Sequence, residues 1–62
     1  MTYTIGHVKR DPATGAVAIR TRFPDDPRLE HLAWVVATTH TGSRNAPTSE
    51  VDNWEDLVVP DP

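Results

Sequence analysis

The sequence predicts an α+β fold: a three- to four-stranded antiparallel sheet, built from an N-terminal β-hairpin and a central strand carrying Trp34, with one short C-terminal helix. Three observations lead there. Arg10-Asp11-Pro12-Ala13-Thr14-Gly15-Ala16 is a tight-turn sequence: Asp11 can accept backbone hydrogen bonds, Pro12 presets φ, and Gly15 enters the left-handed region at little cost. Residues 32–37 form the longest apolar run in the chain. Val51, Trp54 and either Leu57 or Val58 recur at the spacing of one helix face.

Taken in chain order, residues 3–10 form the first strand, with Gly6 as the expected bulge or break in register. Residues 16–23 alternate, with Val17, Ile19, Thr21 and Phe23 expected on the buried face and Ala16, Ala18, Arg20 and Arg22 on the wet face. Phe23-Pro24-Asp25-Asp26-Pro27-Arg28 is a loop, because prolines and aspartates this dense forbid a ladder and favour turns. Leu29 and Leu32 can close one helical turn at the core edge. Ala33-Trp34-Val35-Val36-Ala37-Thr38-Thr39, apolar on both faces, is the central strand. A polar loop over residues 41–47 leads to a helix over about 49–56, with Ser49 and Asp52 approximating a capping box. Leu57-Val58-Val59 either ends that helix or adds an edge strand, and Pro60 stops it.

Sixty-two residues make a single small domain, residues 1–62, with little depth for an internal pocket. With no cysteine, neither a disulfide frame nor a thiolate metal site supplements the core, so stability must come from packing or self-association. Residues 1–7 lack a basic stretch followed by an apolar one, and no apolar run is long enough for a bilayer; a soluble, cytoplasmic protein without membrane contact is expected. Net charge is −3 but unevenly spread. Lys9, Arg10, Arg20 and Arg22 face only Asp11 in the first 23 residues, whereas most carboxylates follow.

No enzyme is expected. His7, His31 and His40 match no ligand spacing, so no metal or other cofactor is expected. Ser43 and Ser49 sit in no nucleophile frame, and so short a domain lacks walls to exclude water. Asp25-Asp26 read as turn formers and Glu55-Asp56 as a solvated helix face. The basic residues carry more. Lys9, Arg10, Arg20 and Arg22 would cluster on the hairpin and could contact phosphates, or simply form its wet face. Gly42-Ser43-Arg44-Asn45, before a helix start, could hold an anion or be an ordinary connector. Lys9, Arg10, Arg20, Arg22 and Arg44 are therefore the candidate partner-binding residues.

Tyr3-Thr4-Ile5-Gly6, Lys9-Arg10-Asp11-Pro12-Ala13-Thr14-Gly15, Ala33-Trp34-Val35-Val36 and Glu50-Val51-Asp52-Asn53-Trp54-Glu55-Asp56-Leu57, in that order, resemble small orphan proteins of actinobacterial phages. The excess of arginine over lysine, with abundant Ala, Val, Thr, Pro and Asp, is what GC-rich codons favour. The resemblance implies an accessory product acting on a host or virion protein in the host cytoplasm, and carries no catalytic residue with it. The expected function is a non-enzymatic protein-interaction module that binds a protein partner or itself, as a two-fold homodimer. The alternative is a small nucleic-acid-binding protein using the basic hairpin face.

Overall fold

The structure is a computed structural model describing residues 3–22, 26–39 and 42–60. Five strands form one antiparallel sheet: β1 Val8–Arg10, β2 Val17–Arg20, β3 Trp34–Thr38, β4 Gly42–Ala46 and β5 Glu55–Val58. Their spatial order is β4-β3-β2-β1-β5. The first four strands form a meander, and the chain then returns from one edge of the sheet to the other. This return, through the short helix α1 (Thr48–Val51) and Trp54, lays Val51 and Trp54 against the buried cluster around Trp34. The α+β class holds, with five strands where three to four were expected.

The hairpin turn forms as its chemistry dictates. Asp11 accepts Gly15 N–H through its carbonyl at 2.8 Å, and its carboxylate accepts Ala13 N–H at 2.9 Å and the Thr14 hydroxyl at 2.9 Å. Gly15 closes the turn at φ +78°, where a Cβ would be strained. The first strand is shorter than residues 3–10, because the chain turns at Gly6, φ +93°, before pairing begins at Val8. A 3-10 segment, Pro27–Leu32, follows Asp26, whose carboxylate caps Arg28 N–H at 3.0 Å. The expected positions of Phe23, His40 and Thr41 lie outside the described residues.

Three expectations are corrected. Residues 42–46, expected as a loop, form edge strand β4 on β3, so Gly42-Ser43-Arg44-Asn45 is ladder where a connector was expected. The helix spans only Thr48–Val51 and has no side-chain cap of its own. Thr48 N–H is instead accepted at 2.9 Å by Glu30, from the 3-10 segment, so capping comes from a distant element that no local motif can announce. Trp54 lies beyond the helix, and Glu55 to Val58 pair with β1 with a bulge at Leu57.

The third correction is the largest. On β2 it is Ala16, Ala18 and Arg20 that turn inward, while Ile19 is 46% exposed. The core consists of Ala16, Ala18, Ala33, Trp34, Val36, Ala46 and Val51, with Tyr3 and Trp54 packed against it. Trp34 is fully buried and stands beside Arg20 on one neighbouring strand and Ala46 on the other. Ala46, small beside so large a ring, leaves room for the covering layer. The alternation in β2 was read correctly and its sense was inverted.

Candidate functional site

Two surfaces stand out, one on each side of the sheet. On the inward side, where the covering layer meets β1 and β5, an open cleft of about 550 Å³ is lined by Tyr3, His7, Lys9, Asp52, Trp54 and Asp56, among others. Lys9 is only 4% exposed. Its ammonium donates to the Trp54 carbonyl at 3.0 Å and the Asp52 carbonyl at 3.2 Å, and pairs with Asp56 Oδ1 at 3.2 Å. Three acceptors match its three donors, which is what permits a lysine inside. His7 Nε2 meets the same Asp56 oxygen at 2.7 Å. Hydrogen bonds from His7 and then from Lys9 hold the Asp56 carboxyl below its ordinary range.

Aromatic packing completes this wall. Tyr3 stands edge-on to His7 and Trp34 at 4.9 and 5.2 Å between centroids, and Lys9 lies 5.1 Å from the centre of the Tyr3 ring. The Tyr3 hydroxyl donates to Asp52, and this bond raises its pKa above the ordinary tyrosine value. Trp34 Nε1 donates to the Thr48 hydroxyl at 3.0 Å. Polar groups here are spent on one another. A His–Asp pair orients a base in many hydrolases, but Ser43 lies on β4, at the far edge of the sheet, and Ser49 is exposed on α1. Among the described residues no group of three metal-ligating side chains gathers.

The outward side is a different surface. Cross-strand register places Asn45, Val35, Ile19, Val8 and Val58 in one row and Ser43, Ala37, Val17, Arg10 and Glu55 in the next. Partners in register share a face, so the valines and isoleucine of β1, β2 and β3 other than core Val36 all emerge here. Ile19 and Val58 are 46% and 50% exposed, and Leu57 and Val59 at the β5 edge are exposed too. The sheet thus buries a lysine and an arginine on one side while showing water valines and an isoleucine on the other.

Of the candidate binding residues, Lys9 is inside as described. Arg20, 4% exposed, donates to the Ala33 carbonyl at 2.9 Å and pins the end of the 3-10 segment to the sheet, its Nε left without a partner. Arg10 pairs with Glu55 at 2.7 Å, and Arg44 forms a two-pronged pair with Glu50 at 2.6 and 2.9 Å. Arg22 is exposed and has no ion-pair partner among the described residues. The five do not converge on one surface. The outward apolar rows were missed because strand parity was assigned in the wrong sense; the position of Trp34, the side chain most in need of cover, was the available signal.

Compared with protein-family models, with curated proteins and with solved structures, the chain matches none. Among the described residues no helix is long and apolar enough to cross a membrane.

Proposed function

We propose that this chain is a non-enzymatic protein-interaction module of the cytoplasm that docks a protein through the outward face of its sheet. One observation carries the reading: Val8, Val17, Ile19, Val35 and Val58 share a face over which no element lies among the described residues. Five strands at about 4.8 Å spacing, two side-chain rows deep, give a face on the order of 300–400 Å², of which Val8, Val17, Ile19, Val35, Ala37 and Val58 form the apolar part. The resemblance to phage accessory proteins supports the same class of role. The nucleic-acid reading finds less support, because Arg10 and Arg44 are paired with carboxylates and Lys9 and Arg20 point inward.

A tagged copy retained on a resin with source-cell lysate tests the reading, with wild type and Ile19→Lys compared with and without nuclease at raised salt. Retention of a protein by wild type, indifferent to nuclease and lost in Ile19→Lys, is the expected result. Retention that nuclease or salt abolishes would move the function to the nucleic-acid alternative.

A further inference from the structure

We infer that the occupant of the outward face is a second copy of this chain, packed face to face about a two-fold axis running along β2. The inference rests on reading that face as an interface, and it names the partner. Two features of the face favour self-pairing, and a third sets its strength.

The first is charge. The chain carries a net −3, yet the only ionised groups in the two outward rows are Arg10 and Glu55, which compensate each other at 2.7 Å. Two copies meet here without repulsion. An oppositely charged partner would gain nothing from this surface.

The second is self-complementarity. A two-fold along the central strand sets Ile19 and Val17 against their own copies and lays β3 over β1. Val35 then meets Val8, and the Ser43 hydroxyl falls near Glu55 of the other copy. The apolar centre of the face, Ile19, Val17, Val35 and Val8, covers itself as an isologous interface requires, while toward the edges Val58 falls on Asn45 and Ala37 on Arg10.

The third is size. Two such patches, with rim contacts from exposed Leu57 and Val59, bury on the order of 700–1,000 Å² in total. That is below the standard size of specific interfaces, about 1,200 Å² and upward, so the dimer is a weak, reversible one.

Sedimentation over a wide concentration range, with a cross-linking arm, tests this. The chain has no cysteine, so Ile19→Cys introduces a unique thiol at the proposed axis, and a short bis-maleimide spans facing sheets about 10 Å apart. Expected are a mass climbing from 6.9 kDa toward twice that value in wild type, a folded Ile19→Lys that stays monomeric, and efficient cross-linking of Ile19→Cys. An exposed control thiol, Asn53→Cys, should not cross-link. Dimers that persist in Ile19→Lys, or that form without cross-linking Ile19→Cys, would place self-association at a sheet edge and overturn the proposal. A wild-type monomer at every concentration would overturn it as well. In that event, retention from lysate of a different protein, sensitive to Ile19→Lys, would keep the face as an interface, and the absence of such retention would remove both readings.

Discussion

Asp56 shows how much one side chain can organise in a chain this small. It is half exposed, yet one oxygen takes both His7 and Lys9, and through them anchors β5 to β1. Its carboxyl is held low, first by His7 and then by Lys9; Glu50 is held low by Arg44 and Glu30 by Thr48. A carboxylate with a depressed folded pKa contributes stability that is present above its unfolded value and lost as pH falls through the folded one. Stability should therefore drop on acidification from about pH 4–5 downward, and Asp56→Asn should flatten that slope. Tyr3 acts oppositely at the alkaline end. Its raised pKa, caused mainly by the bond to Asp52, contributes stability fully present below the ordinary value of 10.0 and lost as pH rises through the folded value. Urea midpoints against pH measure both limbs, and a midpoint indifferent to acid would show that the Asp56 contacts do not persist in solution. Gly15, at φ +78° with open space around it, gives a cleaner backbone test. Gly15→Ala should cost about 1 kcal/mol, purely from the conformation.

Among the elements, the β1–β2 hairpin was legible because Asp11, Pro12 and Gly15 act within a few residues of one another. Strand β5 was not. Its pairing with β1 joins residues more than forty positions apart and is interrupted by the bulge at Leu57, and acidic Glu55-Asp56 look like a solvated helix until Arg10, Lys9 and His7 are set opposite them. The same distance hid the site. Lys9 and Arg20 read as surface charges, because the carbonyls that satisfy them come from residues 52, 54 and 33. Alternation along β2 tells which residues share a face but not which face is inside. Burial also redistributes the two tryptophans. Trp34, fully buried and bonded to Thr48, holds the α1 return against the sheet, whereas Trp54 is half-buried behind the helix. Trp34→Ala should cost about 3–5 kcal/mol, comparable with the whole stability of so small a domain, and unfold it. Trp54→Ala should cost about 1–2 kcal/mol and leave a folded chain. Circular dichroism with thermal melts separates them, and the reverse ranking would mean that the core is centred elsewhere.

Taken whole, the molecule is one sheet covered on one side. The crossing from β4 to β5 dresses the Trp34 side, and among the described residues no second crossing dresses the other, so the covering residues lie where the largest ring is. Valine and isoleucine on the outward side make sense if stability and association are coupled, since a partner binding only the folded state stabilises it by mass action. Urea unfolding of wild type and Ile19→Thr, followed over about a hundredfold range of concentration, measures that coupling directly. At low concentration the two midpoints should lie close together, with only a small fixed offset, because Ile19 is about half exposed in the isolated chain. With rising concentration the wild-type midpoint should climb by on the order of 1 M urea, as about 1–1.5 kcal/mol per chain of mass action accrues, while that of Ile19→Thr stays put. A loss in Ile19→Thr that is the same at every concentration, with a wild-type midpoint that never moves, would contradict this: Ile19 would then be a core residue, and the sheet would face the other way.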